Sequence, residues 1–274
     1  MVGPLVNPEN LQHFLSSHNL RAAKSLGQNF LVCEEVIDSI LIGLEGGPKK
    51  LTELGPGLGT LTQGLIASGY TVRGIEKDDD FVKVLPSVLP PKLRDNLTII
   101  HDDLQETSWE WDTPWQLVGN IPYNISGMII RLLTKLREAP HSAIFLMQKE
   151  VAHRIAHDEN SMSLLGLAVD LWGSGAVLLN VPPSCFIPAP AVHSALVQIR
   201  PHQTMLSTEK REAIIACAKP FFQAKRKQIG HTLKTAYKKD SQEIEQIMNT
   251  LKLSASLRPE NLSAHDYERL CDIL

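Results

Sequence analysis

Cysteine is scarce in this chain. Its four cysteines, Cys33, Cys185, Cys217 and Cys271, are scattered over 274 residues without a Cys-x-x-Cys pair. Neither a disulfide framework nor a zinc site is indicated, no metal is expected, and a reducing compartment is the natural home. Long apolar runs are missing too: the longest, Leu164 to Val181, is interrupted by Asp170, Ser174 and glycines, which suits a buried helix followed by a strand better than a membrane span. The N-terminus mixes Asn, Glu, Gln, His and Ser where a secretion signal needs an unbroken apolar segment. A cytoplasmic protein without membrane contact is expected. Repeats and low-complexity segments are absent as well.

What is present is 43% hydrophobic residues, enough for a large core with an appendage or for two domains. The net charge of −3 speaks against a nucleic-acid partner until its distribution is considered. Seven Lys or Arg fall between Lys219 and Lys239 with no acid among them, while the remainder carries 20 basic against 30 acidic residues. A local cationic zone on an anionic body implies an interaction surface.

Val36, Ile37, Ile40, Leu41 and Leu44 recur at helical spacing, and Leu51 to Leu54 reads as a short buried strand. A helix over 60–68, a strand over 71–75 ending in Glu76, a helix from about Asp78 and a strand over 97–100 ending in Asp102-Asp103 continue the alternation. A strand over 116–119, a helix over 127–137 and a strand over 143–147 follow. This order predicts an α/β fold with a doubly wound sheet, whose ligands bind beyond the carboxyl ends of the strands. After Arg200-Pro201 only helices are predicted, over 209–222, 226–238, 242–251 and 263–274, the last behind a Ser263-x-x-Asp266 cap. A boundary there divides the chain into residues 1–202 and a helical domain of residues 203–274.

The glycine turn Glu53-Leu-Gly55-Pro-Gly57-Leu-Gly59, placed between strand and helix, lets backbone approach a ligand closely. Nicotinamide enzymes and plain tight turns use such glycines too. Glu76 ends the next strand about twenty residues on, where a carboxylate accepts ribose hydroxyl protons in dinucleotide and S-adenosylmethionine sites alike. No Lys-Ser or Lys-Thr follows the glycines, which excludes a phosphate-gripping P-loop, and the tight Gly-x-Gly-x-Gly form leans toward S-adenosylmethionine. Lys77 adjoins this site, and Asp102 or Asp103 suits the cofactor's adenine amine. Either acid also fits a solvated strand end.

Asn120-Ile121-Pro122-Tyr123 ends another strand. In isolation it reads as a turn. Beside a cofactor crevice it suits an exocyclic adenine amine, a poor nucleophile whose lone pair is delocalised into the ring. Hydrogen-bond acceptors on both amine protons draw it toward tetrahedral geometry: the Asn120 amide oxygen, and a main-chain carbonyl at Ile121 or Pro122 freed from the sheet by the proline. Tyr123 offers an aromatic face to the base. Lys227, His231, Lys234 and Lys238 follow i, i+4, i+7, i+11 spacing, one basic helix face without interspersed acids, and phosphate contacts are the reading preferred to a solvated face. His153 and His157 sit four apart without an acidic or cysteine partner and read as exposed histidines.

Together with Lys24-Ser-Leu-Gly-Gln28-Asn29-Phe30-Leu31, Gly119-Asn-Ile-Pro-Tyr-Asn-Ile-Ser126, Gln148-Lys-Glu-Val-Ala-His-Arg154, Val181-Pro-Pro-Ser-Cys-Phe186-Ile-Pro188 and Ala224-Lys-Arg-Lys227, the glycine turn resembles the small-subunit ribosomal RNA adenine N6-dimethyltransferase family, of the bacterial KsgA type, along nearly the whole chain. The resemblance implies a Rossmann-like methyltransferase domain with a smaller helical RNA-binding domain. It implies transfer of two methyl groups from S-adenosylmethionine to each of two adjacent adenosines in the 3′-terminal hairpin loop of small-subunit rRNA, in ribosome biogenesis. The implied partners are that RNA and the immature small subunit, met by a monomer. Carried over by residue, Gln28, Asn29 and Leu31 close over the cofactor, Gly55 and Gly57 approach its amino-acid part, Glu76 takes the ribose and Asp103 the adenine. Asn120 and Tyr123 handle the target base with Phe186 on its other face, and Lys225 and Arg226 join the basic set. The chain departs from the family pattern at Lys24-Ser25-Leu26, at the Asp102-Asp103 doublet and at Ser163-Leu-Leu-Gly-Leu-Ala168. A large-subunit rRNA adenine methylase sharing the catalytic set, and a non-catalytic RNA-binding assembly or transcription factor on the same fold, are the alternatives.

Overall fold

A computed structural model of the chain describes residues 4–21, 28–156, 161–224 and 226–274. Helix α1 (Pro8–Ser17) and a two-residue strand β1 (Phe30–Leu31) precede the repeating part. That part runs α2 (Glu34–Gly43), β2 (Lys50–Leu54), α3 (Thr60–Ala67), β3 (Thr71–Glu76), α4 (Asp79–Val84), β4 (Leu97–His101), β5 (Gln116–Asn120), α5 (Ser126–Leu133), β6 (Ala143–Gln148), α6 (Lys149–Ala156) and α7 (Leu164–Asp170). Strands β7 (Gly173–Val181), β8 (Phe186–Ile187) and β9 (Ser194–Pro201) follow, then helices α8 (Thr208–Gln223), α9 (Ile229–Thr235), α10 (Ser241–Leu251) and α11 (Ala264–Ile273).

The main sheet has seven strands in the order β4-β3-β2-β5-β6-β9-β7. The first five are parallel, and β9 runs antiparallel to both of its neighbours. From β2 the chain builds outward to β3 and β4, then returns to place β5 on the other side of β2. That reversal leaves a crevice above the carboxyl ends of β2 and β5, where such sheets bind ligands. Both faces of the central strands β2, β5, β6 and β9 are covered, so nearly all of their residues are buried. On β6, Ile144 and Leu146 join the layer under α2 and α3, whereas Phe145 and Met147 join the layer formed with α5 and α6. Asp78 starts α4 by accepting hydrogen bonds from the Asp80 and Phe81 amides at 3.0 and 3.3 Å.

The helices after residue 207 enclose a separate core around Ile214, Phe221, Leu233, Met248 and Tyr267, to which α7 adds Leu167 and Leu171. The predicted Ser263 cap forms reciprocally with Asp266, and Asp240 and Glu243 build the same capping box on α10. Two helices are shorter than their sequence pattern. α5 stops at Leu133, and the Thr134 carbonyl is taken by Nη2 of buried Arg211 at 3.0 Å. α9 covers only Ile229–Thr235, because the Ile229 and Gly230 amides donate to Leu257 and Ala255 of a neighbouring turn. At its other end Lys238 adopts φ 56° and Lys239 N–H reaches back to the Leu233 carbonyl, which closes the helix.

The expectation of four free thiols is corrected. Cys33 is bonded to Cys185, and Cys217 to Cys271. The pairs are separated by 152 and 54 residues, so no sequence spacing announces them. Pairing of β1 with β8 delivers the first, where Val32 N–H donates to the Cys185 carbonyl at 2.8 Å. The cysteines therefore give no support to a reducing compartment. No helix among the described residues is long and apolar enough to cross a membrane.

Phe221 is fully buried, stacked with Tyr237 at 5.6 Å between centroids and edge-on to Tyr267 at 6.2 Å. Phe221→Ala should destabilise the helical region by about 3–5 kcal/mol. The check is a lowered urea midpoint followed by circular dichroism, and an unchanged midpoint would contradict this packing.

Candidate active site

The crevice holds a cavity of about 470 Å³, within the range of small-molecule sites. Its wall is drawn from four strand ends and the segment preceding and including β1. Gly55 and Gly57 follow β2 with φ of 66° and 57°, a left-handed backbone that side chains rarely adopt. The Gly57 N–H donates to Glu76 Oε2 at 2.9 Å, tying this turn to the tip of β3. Glu76 Oε1 accepts from the Lys77 and Asp78 amides, each at 2.9 Å, so the carboxyl is fixed in place. Burial pushes its pKa above the ordinary value, with the three backbone donors opposing.

After β4 the two acids separate. Asp103 lines the cavity and pairs with Lys77 Nζ at 2.7 Å, a hydrogen bond that holds its carboxyl below the usual range. Asp102 is not part of the wall and instead accepts the Asp103 amide at 2.8 Å. Lys77 also lines the cavity. Phe81, Ile75 and Leu104 add apolar surface.

Gln28, Asn29, Phe30 and Leu31 form a strap along one wall. Gln28 Nε2 donates to Asp78 Oδ2 at 3.2 Å. The Asn29 carbonyl accepts from Asn120 Nδ2 at 2.8 Å. That bond sets the amide's orientation: the nitrogen is engaged with the strap, and Oδ1 is the atom left to accept from a ligand. The two following carbonyls differ. The Pro122 oxygen accepts from the Ile125 amide at 3.1 Å, whereas the Ile121 oxygen accepts no hydrogen bond among the described residues. Ile121 is buried and held by its own N–H to the Leu146 carbonyl at 2.9 Å. Tyr123 lines the cavity, half-buried, with its hydroxyl 2.6 Å from Ser194 Oγ. Burial raises its pKa, keeping the phenol neutral.

The structure thus brings together Gln28, Asn29, Leu31, Gly55, Gly57, Glu76, Lys77, Asp103, Asn120, Ile121, Pro122 and Tyr123. Asp102, outside the wall, is one exception, and Phe186 is another. Phe186 is only 3% exposed, opposite Leu31 in the β1–β8 ladder and packed in the core, so it offers no face to the cavity. Arg226, Lys227, His231, Lys234 and Lys238 are exposed, but only His231 and Lys234 lie on α9; the others sit in the flanking turns, and the expected continuous helical face is broken. His153 shares a hydrogen bond with Asn180 at 3.1 Å. Lys225, His157 and Lys24 to Leu26, for which the sequence also raised expectations, lie outside the described residues.

Sequence reasoning missed Glu53. It lines the cavity from the end of β2, fully buried, with Thr62 Oγ1 donating to Oε2 at 2.7 Å. An acid inside an otherwise apolar buried strand was the available signal. Burial pushes its pKa from 4.5 to about 8, against the Thr62 hydrogen bond and with help from the charge of Glu76.

Strand order, glycine turn, acid-tipped β3 and Asn-Ile-Pro-Tyr turn define a Rossmann-like methyltransferase of the S-adenosylmethionine-dependent class. The family model for ribosomal RNA adenine dimethylase matches residues 19–274, and the chain belongs to that family. It is 33% identical to the ribosomal RNA small subunit methyltransferase A of Chlamydia trachomatis serovar L2, with 97% of each chain covered. Identity to the protein of the same description from Marinobacter nauticus is 32%, with 94% of each covered. Among solved structures, a dimethyladenosine transferase from Plasmodium falciparum gives a TM-score of 0.72 at 22% identity, covering 88% of this chain and 95% of that one. The 23S rRNA methyltransferase ErmE gives 0.71 at 22% identity, covering 89% and 98%. These two share the fold.

The unfolded chain releases the Glu53 proton near pH 4.5, while the folded chain keeps it to about 8. Raising the pH across that interval therefore favours unfolding. Glu53→Gln removes this effect, and the Tm advantage of the variant over the parent should widen with pH across the interval. Thermal melts at several pH values provide the measurement; a constant gap would refute the assignment.

Proposed function

We propose that this protein transfers methyl groups from S-adenosylmethionine to N6 of two adjacent adenosines in the 3′-terminal hairpin loop of small-subunit rRNA, acting in the cytoplasm as a monomer on the immature subunit. The observation that carries the reading is the Asn120 amide, held by the strap with its oxygen left for a donor. The cavity fits the cofactor on its own terms: a floor of side-chain-free backbone at Gly55 and Gly57, a fixed carboxyl at Glu76 for ribose hydroxyls, and apolar surface beside Asp103 for an adenine ring. When bound there, S-adenosylmethionine supplies an electrophilic methyl group. Gln28, Asn29 and Leu31 would cover it.

Asn120 Oδ1 accepts one proton of the target amine and the Ile121 carbonyl accepts the other, pulling the lone pair out of conjugation and toward the donor. Tyr123 stacks on the base. Rate comes from positioning and from acceptors that favour the more tetrahedral amine. The methylated nitrogen sheds one proton to water, so the product of the first transfer keeps one N–H and the same acceptors serve a second. An unpaired loop spares most of the unstacking that a duplex base demands. We assign residues 1–202 to the methyltransferase domain and 203–274 to an RNA-binding helical domain, whose Arg226, Lys227, His231, Lys234 and Lys238, with Lys225, meet phosphates as a cluster of turns around α9.

The direct test is methyl transfer from labelled S-adenosylmethionine to small subunits lacking the modification, followed by mapping of the modified adenosines; label in large-subunit RNA, or none, would overturn the reading. Asn120→Ala should lower turnover about a hundredfold or more, by analogy with lost oxyanion donors. Asn120→Asp should fare no better, because a carboxylate cannot donate to the Asn29 carbonyl. Steady-state kinetics decide, and parental turnover in either variant would remove Asn120 from its role. Reversing charge with Lys227→Glu and Lys234→Glu should weaken RNA binding and flatten its dependence on salt by about one unit of logarithmic slope per lost contact. Titrations at several salt concentrations measure this, and an unaltered slope would place the RNA elsewhere.

A further inference from the structure

Tyr123 comes from a single short turn, residues 123–125, closed by the Ile125 amide on the Pro122 carbonyl. Nothing in that turn fixes the direction of the phenol ring. What meets its hydroxyl is Ser194 Oγ, 2.6 Å away and 71 residues later in the chain. Ser194 is fully buried. It opens β9 and is paired on both sides, with Gln148 at the end of β6 and with Val181 at the end of β7. Its backbone is therefore held by two neighbouring strands, whereas Tyr123 sits on a single turn outside the sheet. A buried hydroxyl needs a partner, and among the described residues the side-chain hydrogen bond of Ser194 is the one to Tyr123. Each group satisfies the other.

We infer that Ser194 is a positioning residue for methyl transfer, a fixed post on the antiparallel part of the sheet that sets the angle of the Tyr123 ring against the target base. The inference rests on the reading that Tyr123 faces that base. It assigns a role in the reaction to the β6-β9-β7 end of the sheet, whose strands contribute no residue to the cavity wall. It also explains why a tyrosine suits this position better than a phenylalanine: the ring alone can stack, but only the phenol can be held.

A double-substitution cycle tests this on the full-length protein with small-subunit RNA as substrate. Ser194→Ala should lower kcat/KM for RNA by about threefold to tenfold, the size of one lost hydrogen bond, while leaving the cofactor Kd within about twofold. Tyr123→Phe should give a similar fall, and the double variant should be no worse than either single one, since both remove the same interaction. Full activity of Ser194→Ala, losses that multiply in the double variant, or a parallel weakening of cofactor binding would each overturn the positioning role. A parental protein that does not methylate small-subunit RNA would instead defeat the underlying functional reading, so the two failures are told apart. Thermal melts of all four proteins accompany the kinetics, and a fall in activity that tracks Tm across them counts against the proposal.

Discussion

The hydrogen bond from the Asn120 amide nitrogen to the Asn29 carbonyl is the constraint on which the chemistry of this site depends. An asparagine side chain offers a donor and an acceptor of nearly equal shape, and only its surroundings decide which faces a ligand. Here a backbone carbonyl from a segment 91 residues earlier engages the nitrogen. The oxygen is presented as a result, next to an Ile121 carbonyl that accepts no hydrogen bond among the described residues. Two acceptors side by side match two protons on a planar amine.

The parallel sheet puts that pair where it is needed. Because β3, β2 and β5 are neighbours in register, Glu76, the glycine turn and Asn120 emerge on one rim although they are far apart in the chain. The helical region is not a passive addition. Buried Arg211 of α8 donates to the Thr134 carbonyl at the end of α5, the helix that starts directly after the Tyr123 turn. The exposed cations around α9 are thereby connected through packed elements to the turn that carries Tyr123.

Much of this was legible in the sequence, for identifiable reasons. Strands β2, β3, β5 and β6 are short apolar runs ended by Gly55, Glu76, Asn120 and Gln148, and local pattern suffices to find them. The Ser263 cap was readable because its partner is three residues away. What could not be read was whatever depends on distant partners. Cys33 finds Cys185 only through the β1–β8 ladder. α9 loses its outer turns to carbonyls of Ala255 and Leu257 and to the left-handed Lys238, none of which alters its periodicity. Phe186 follows a motif that promises an exposed ring, yet its pairing opposite Leu31 turns it into the core. Glu53 and Ser194 were passed over because a buried polar residue in a strand declares its purpose only when its partner is known.

The strap of residues 28–31 has a consequence for how such a protein varies over time. One short stretch of chain lines the cavity, latches to Asp78 through Gln28 and orients the Asn120 amide through Asn29. A substitution there cannot adjust one of these without disturbing the others. The outline of the chamber and the aim of the Asn120 amide are thus inherited as a linked pair.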